Sequence, residues 1–160
     1  MNAAFTLGRI ALVAIFIISG AEKLLDIAAG TSTTATQIQS KLTIPPMLAD
    51  ATAQIEATLN MPIWQVLAIV VAVIEVLGGL LIAFNVLTRT MAVILLLYTA
   101  VATFFFYDFW NMTGADRSNN TIHALKNLSI MGAFLMLAAW PRRAVVVDAP
   151  VDDRVVHEPL

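Results

Sequence analysis

Long runs of apolar residues dominate the chain, and polar residues are concentrated in the segments between them. The longest run extends from Ile63 to Asn85 and contains a single charged residue, Glu75. A helix of that length, at about 1.5 Å of rise per residue, crosses a hydrocarbon core of about 30 Å. Three other runs are of similar character. The pattern predicts four membrane-spanning helices, over residues 4–25, 63–85, 90–107 and 121–140.

The one long polar segment, residues 26–61, separates the first two predicted spans. It contains the pair Pro45-Pro46, which ends a helix, and it predicts short helices at 36–42 and 48–59. Its scattered apolar residues suit a segment that lies on the membrane surface or covers the bundle. We therefore predict a partly helical cap on the external face, with a loosely ordered loop as the alternative.

These elements predict an all-α fold, an integral membrane four-helix transmembrane bundle with an external, partly helical loop between helices one and two. Residues 1–143 are assigned to the transmembrane domain, and residues 144–160 to a polar, disordered cytoplasmic tail. The first apolar run resembles the core of a signal peptide. Because it continues through Leu25 and more spans follow it, we interpret it as an uncleaved membrane helix.

Composition supports a membrane protein and excludes several functions. Hydrophobic residues make up 59% of the chain and charged residues only 12%, against about 25% charged in a soluble domain. A net charge of −2 without a basic stripe argues against a nucleic-acid partner. The chain has no cysteine, which excludes thiolate catalysis and iron–sulfur ligation by this chain alone. Its two histidines do not predict a metal site.

Glu75 is the strongest candidate for a functional residue, because it lies in the middle of its predicted span. An ionisable group at that depth costs about 2.5–3.5 kcal/mol on insertion scales, so it should face protein or water. Gly78 and Gly79 follow on the same helix face and, with Gly20 of the first span, are predicted to allow close helix packing. Glu75 is either a structural hydrogen-bond or ion-pair partner, or a group that serves proton or ligand chemistry.

The other polar residues of the predicted spans are placed at the depth of Glu75 or outward from it, away from the termini. They are Tyr98, Thr103, Asn127, His123 and Lys23. This arrangement predicts a polar funnel that ends at Glu75 and takes an amphipathic ring such as a quinone, with the aromatic residues 104–110 near its mouth. Lys23 either extends to the head groups or reaches Glu75, and His123 is either interfacial or a ligand of the site.

Arg9 is expected to extend to the head groups at the opposite, terminal end. On the same helix, small residues recur at helical spacing and predict a close-packing seam. The seam comprises Gly8, Ala11, Ile15 and Ser19. The pair Arg142-Arg143 after the last span predicts that both termini are cytoplasmic.

Five short motifs occur in a fixed order along the chain. They are LGR at 7–9, SGAEK at 19–23, EVLGG at 75–79, LTR at 87–89 and KNLSIMG at 126–132. In this order and spacing they resemble the DoxX family of small bacterial membrane proteins, over about residues 5–139. The resemblance implies a four-helix membrane bundle. It also implies a redox or quinone-linked role, because the family includes a subunit of thiosulfate:quinone oxidoreductase and members tied to oxidative-stress complexes.

The resemblance favours an integral membrane subunit of a redox or respiratory-type complex in the bacterial inner membrane. Such a subunit is non-catalytic by itself, anchors other protein subunits in the lipid bilayer and offers a quinone or lipid pocket around Glu75. One alternative is a quinone-linked oxidoreductase subunit. Another is a small proton-coupled carrier, which would need a homo-oligomer because the chain shows no inverted repeat. No cofactor is encoded, so a quinone or lipid would be a bound ligand.

Overall fold

The computed structural model describes residues 3–140, and within that range all regular elements are helical. The six α-helices are α1 (Ala3–Ala28), α2 (Thr33–Lys41), α3 (Ala49–Leu59), α4 (Ile63–Ala83), α5 (Thr88–Phe106) and α6 (Gly114–Ala139). Single 3₁₀ turns lie at Pro46–Leu48 and Phe109–Asn111. Four of the helices (α1, α4, α5 and α6) are long and apolar enough to cross a membrane. The predicted fold class is confirmed.

The start of the last spanning helix differs most from the prediction. α6 begins at Gly114, seven residues before the predicted start of the last span at 121. Polar side chains in this first part bond back to the preceding helical turn: Asn120 Nδ2 donates to the carbonyl of Asp116, and Thr121 Oγ1 to that of Arg117. Polar residues at the edge of a predicted span therefore mark where the apolar segment ends, and the helix itself continues beyond them.

α1 packs most extensively on α4, and α5 on α6. The stripe that α1 buries consists of Arg9, Val13, Phe16 and Gly20. The predicted seam is wrong, because Gly8, Ala11 and Ile15 are exposed. Since successive residues of a helix are 100° apart, the buried stripe is the one that begins a single residue later, and its large apolar residues decide which face is buried.

Two apolar clusters hold the bundle together at different depths. The larger, on the terminal side, contains Val13, Phe16, Ile82, Ala92, Leu95, Phe134 and Leu137. The smaller lies under α2 and contains Ala35, Ile38 and Ala68. Glu75 stands between the two clusters on α4, seven residues from Ala68 and seven from Ile82 in sequence, and is therefore on nearly the same helix face as both.

The segment between the first two spans is ordered and helical, as predicted. α2 is joined to the end of α1 by Asp26, whose Oδ2 accepts hydrogen bonds from the backbone N–H of Thr33 at 2.7 Å and from its hydroxyl at 2.6 Å. α3 buries none of its residues, although Glu56 Oε1 accepts a hydrogen bond at 2.8 Å from the backbone N–H of Ile63, at the start of α4. The predicted tail and Arg142-Arg143 lie outside the described residues.

Candidate functional site

The core of the candidate site is a hydrogen-bonded trio contributed by three different helices. Glu75 of α4 is only 3% exposed, and both of its carboxylate oxygens are engaged. Lys23 Nζ of α1 donates to Oε2 at 2.7 Å, and Tyr98 Oη of α5 donates to Oε1 at 2.5 Å. A carboxylate that is buried at this depth is stable only with such partners. The trio therefore connects α1, α4 and α5 through one side chain.

Lys23 reaches this position because its helix places it beside the cavity. Besides Glu75, its ammonium group donates to Ser19 Oγ, one turn earlier on α1, at 2.5 Å. The Lys23 side chain retains 20% exposure, whereas that of Glu75 retains 4%. Of the two interpretations of Lys23, the structure supports the one in which it reaches Glu75. Extension to the head groups would leave Glu75 with Tyr98 alone.

Close approach of the helices depends on the three predicted packing glycines. A Cβ built on Gly20 would lie 2.8 Å from the carbonyl oxygen of Ala72 and 2.9 Å from Glu75 Cβ. One built on Gly79 would lie 2.7 Å from Ile17 Cγ1 of α1, and one on Gly78 would lie 3.2 Å from Leu95 Cδ2 of α5. The glycines that follow Glu75 thus face different neighbouring helices. Gly20 lies directly against the backbone that carries Glu75.

A cavity of about 420 Å³ opens from this trio toward α2. Its walls come from all four long helices, and α2 contributes Thr34, Gln37 and Ile38. The remaining lining residues are mostly apolar, among them Phe16, Val71 and Phe105. Pockets for small ligands commonly have volumes of 300–1,000 Å³, apolar walls and a few convergent polar groups. This cavity has that form, with its polar groups gathered around Glu75.

A second line of hydrogen bonds runs along α5 on the α6 side of the cavity. Asn127 Nδ2 donates to Thr103 Oγ1 at 2.9 Å, and Thr103 Oγ1 donates to the carbonyl of Thr99 at 2.6 Å. Thr99 and Asn127 line the cavity, whereas Thr103 connects them from behind. The predicted polar residues at these positions therefore form a wall beside the trio and do not contact Glu75 directly.

His123 does not belong to the interior network. Its side chain is exposed, and its ring stacks on Tyr107 with centroids 5.2 Å apart and an angle of 18° between the planes. Tyr107 lines the cavity, together with Phe105 and Phe106. The expectation that His123 is a polar residue of the funnel is therefore wrong. His123 lies one turn before Asn127 on nearly the same face of α6, so its position nearer the helix start places its ring against Tyr107, outside the residues that line the cavity.

Arg9 differs from its expected place at the head groups, because it is buried. Its Nη1 donates to Asn85 Oδ1 at 2.5 Å and its Nη2 donates to the carbonyl of Ala83 at 3.1 Å. Ala83 ends α4, so Arg9 satisfies a carbonyl that has no helical partner and places a cation at the negative end of the helix dipole. Arg9 is thus a structural residue of the terminal end.

Several residues of the site were not found from the sequence. Ser19 was assigned to the packing seam and not to the cavity, and Thr34 and Gln37 belong to a polar segment without a clear periodicity. Lys41 at the end of α2 donates to Asp108 Oδ1 at 3.1 Å and so attaches α2 to the exit of α5. The partners in this pair are far apart in sequence, and no local signal indicates that they meet.

The arrangement can hold an amphipathic molecule and can hold or pass a proton at Glu75. Among residues 3–140 there is no group of three or more histidine, aspartate and glutamate side chains placed to bind a metal ion. The polar groups that the site does present, around Glu75, offer hydrogen bonding and proton exchange.

Comparison with known proteins gives two matches. A family model described as DoxX matches residues 4–108, which include the site residues of α1, α4 and α5. The inner membrane protein YphA of Escherichia coli (strain K12) is 33% identical over 142 residues, covering 89% of this chain and 86% of the relative. No solved structure matches the chain.

Proposed function

We propose, because this chain belongs to the DoxX family, that it is a membrane subunit of a redox or respiratory-type complex. In this role it anchors other protein subunits, is non-catalytic by itself and holds a quinone or a lipid in the cavity around Glu75. The four candidate spans and the inner-membrane relative support a multi-pass protein of the inner membrane. The quinone or lipid, the partner subunits and the redox complex belong to the proposal.

The observation that carries the proposal is the polar trio at the closed end of a largely apolar cavity. A ligand with a polar head and an apolar body matches both parts, since its head meets Lys23, Glu75 and Tyr98 and its body meets the walls. The chain has no cysteine, so a thiolate-bound redox centre must come from another subunit. Anchoring and ligand binding are the contributions that this chain's own residues can make.

The proposed orientation places both termini in the cytoplasm. Arg9 bonds to the end of α4, and Arg89 Nη2 donates to the carbonyl of Trp140 after α6, so both cations lie at the end of the bundle that carries the termini. The pair Arg142-Arg143, which follows the last span in the sequence, tips an otherwise nearly even distribution of Arg and Lys toward this end, and such an excess marks the cytoplasmic side. Reporter fusions after Arg89 should therefore read cytoplasmic and those at Ala115 external. The reverse pair of readings would invert the protein.

Purification from its native membrane, followed by mass spectrometry of bound proteins and small molecules, tests the proposed function. We expect other protein subunits and a bound quinone or lipid. A matched preparation of the variant Ala102→Trp, which places a large side chain in the cavity wall, should retain the subunits and lose the small molecule.

The two parts of the proposal are separable in this experiment. Subunits without any bound amphiphile would contradict the pocket, whereas an amphiphile without subunits would contradict the anchoring role. A chain that purifies as a homo-oligomer with neither would favour the carrier.

A further inference from the structure

We infer that the cavity takes a neutral amphiphile whose polar end accepts a hydrogen bond, and that it discriminates against anionic head groups. This inference rests on the proposed ligand-binding function and specifies the chemical class of the ligand. It comes from the charge balance and the free hydrogen-bonding capacity of the trio at the closed end.

The charge balance of the cavity is zero. In the described part of the chain, Lys23 and Glu75 are the charged residues that line it, and their nitrogen and oxygen lie 2.7 Å apart. If Lys23 is protonated and Glu75 is ionised, the charges cancel. If the proton instead resides on Glu75, both groups are neutral. An anionic or cationic ligand would thus enter a poorly solvated site without an opposite charge, which is costly.

Hydrogen-bonding capacity at the closed end indicates which atoms a ligand should present. Both oxygens of Glu75 are engaged by Lys23 and Tyr98. An ammonium group has three N–H donors, and Lys23 uses two of them at short distances, toward Glu75 and Ser19 Oγ. Its remaining contact, to the Ser19 carbonyl, is 3.5 Å long. This third donor is the one available to a carbonyl, ether or hydroxyl oxygen of a ligand.

The rest of the cavity fits an uncharged body. Apolar lining residues include Ile15 and Phe16 of α1, Leu67 and Val71 of α4, and Phe105 of α5. On the side of α2, Thr34 and Gln37 contribute uncharged polar groups. A head group that carries a phosphate would find hydrogen-bond donors here but no unpaired cation, which is what phosphate sites normally provide.

Removing the Glu75 charge should therefore change the preferred ligand class. In the variant Glu75→Gln, Lys23 remains beside the cavity without a compensating carboxylate. An anionic ligand then supplies the missing charge. A purely structural role for the Lys23–Glu75 pair predicts no such reversal, because stability alone would change. Glu22→Gln provides the matched control, as it removes the same charge from an exposed position on α1 outside the cavity.

The test uses the purified full chain in an uncharged maltoside detergent, with para-decylbenzoate and its methyl ester as probes. The two probes share a ring, a chain and an acceptor end and differ in charge. We expect the ester to raise the thermal unfolding midpoint of the native chain and to bind roughly tenfold or more tightly than the carboxylate. Glu75→Gln should bind the carboxylate more tightly than the ester, whereas Glu22→Gln should keep the native preference for the ester.

Equal binding of the ester and the carboxylate by the native chain would overturn the inference while leaving the proposed pocket in place. Absence of binding by either probe, and by a decyl benzoquinone, would contradict the pocket itself and the inference with it. If Glu75→Gln does not fold, the comparison of the two probes on the native chain still decides the charge preference.

Discussion

Two cations on the same helix, one buried and one partly exposed, illustrate how differently this bundle uses charge. Arg9 and Lys23 both belong to α1, and both are directed at α4. Arg9 is 4% exposed and donates to uncharged oxygens, the amide of Asn85 and the carbonyl that ends α4. Lys23 is paired with a carboxylate and lines a cavity. The same type of charge thus stabilises a helix end in one place and balances an ionisable group in the other.

Burial of a charge is therefore not by itself evidence for a functional site. Arg9 has an orphan donor, Nε, without a hydrogen-bond partner in the described residues, yet it is bonded to the end of α4 and does not line the cavity around Glu75. Lys23 is more exposed, but the space next to it is a cavity with polar groups from several helices. A candidate site needs both an ionisable group and room for a ligand beside it.

The largest expected effect comes from breaking the ion pair at Lys23. Glu75→Gln removes the carboxylate and leaves a cation partly buried, which should lower the free energy of unfolding by about 3 kcal/mol, at the lower end of the range for buried pairs. The lower end applies because the Lys23 side chain retains 20% exposure. Reversible unfolding in mixed detergent micelles provides the measurement. An unchanged stability would show that Glu75 is held as a neutral residue.

A smaller loss of unfolding free energy should follow when α1 and α4, the helices that carry Lys23 and Glu75, are forced apart. Gly20→Ala places a methyl group 2.8 Å from the Ala72 carbonyl oxygen, and backbone on both sides limits relaxation. Overpacking of this kind costs about 2 kcal/mol. Gly8→Ala is the control, since nothing lies within 4 Å of a Cβ there. Equal effects of the two substitutions would mean that α1 and α4 do not approach closely at Gly20.

Removal of the Arg9 cation should lower the free energy of unfolding by less than either of these substitutions. Arg9→Met removes hydrogen bonds to Asn85 and to the Ala83 carbonyl, but the exposed Asn85 can bind water instead. We expect a loss of about 1.5 kcal/mol in the free energy of unfolding, the lower end of the range for hydrogen bonds that involve a charged group. The exposed Arg117→Met serves as the control. A loss as large as that of Glu75→Gln would remove the distinction between the two cations.

The smallest expected effect is on amide exchange in α2, which Lys41 attaches to the exit of α5. Lys41→Met removes the exposed ion pair with Asp108, and because exposed pairs stabilise little, amide exchange across Thr33–Lys41 should accelerate only about twofold. Hydrogen exchange in nanodiscs measures this, with the exposed Lys126→Met as the control. Exchange that is unaffected by Lys41→Met would mean that the burial of Ala35 and Ile38 and the bonds of Thr33 to Asp26 hold α2 over the cavity without this ion pair.

The apolar runs were sufficient to predict the spanning helices, because membrane thickness fixes both their length and their composition. The apolar runs did not predict the start of α6, because polar residues such as Asn120 can extend a helix beyond its apolar part. The depth argument correctly brought Glu75 and Tyr98 to one level. It did not exclude His123, because a depth estimated from the sequence does not show whether a residue one helical turn beyond Asn127 still lines the cavity.

Sequence reasoning left the pairing of Lys23 with Glu75 open between two alternatives. Lys23 and Glu75 are separated by 52 residues, and whether they meet depends on the rotation of α1 about its axis. That rotation is set by Val13 and Phe16, which bury the stripe next to the one that the small residues suggested. The burial of Arg9 follows from the same rotation. General rules for terminal arginines predict extension to head groups instead.

Two double-mutant cycles measured in parallel test the central claim, that Lys23 is coupled to a carboxylate whereas Arg9 is not. One cycle combines Lys23→Met with Glu75→Gln, and the other Arg9→Met with Asn85→Ala. In the first, the double variant should lose about 2 kcal/mol less unfolding free energy than the sum of its single variants. In the second, the coupling should be about 1 kcal/mol or less. Additive losses for Lys23 and Glu75, or a stronger coupling between Arg9 and Asn85, would contradict the account.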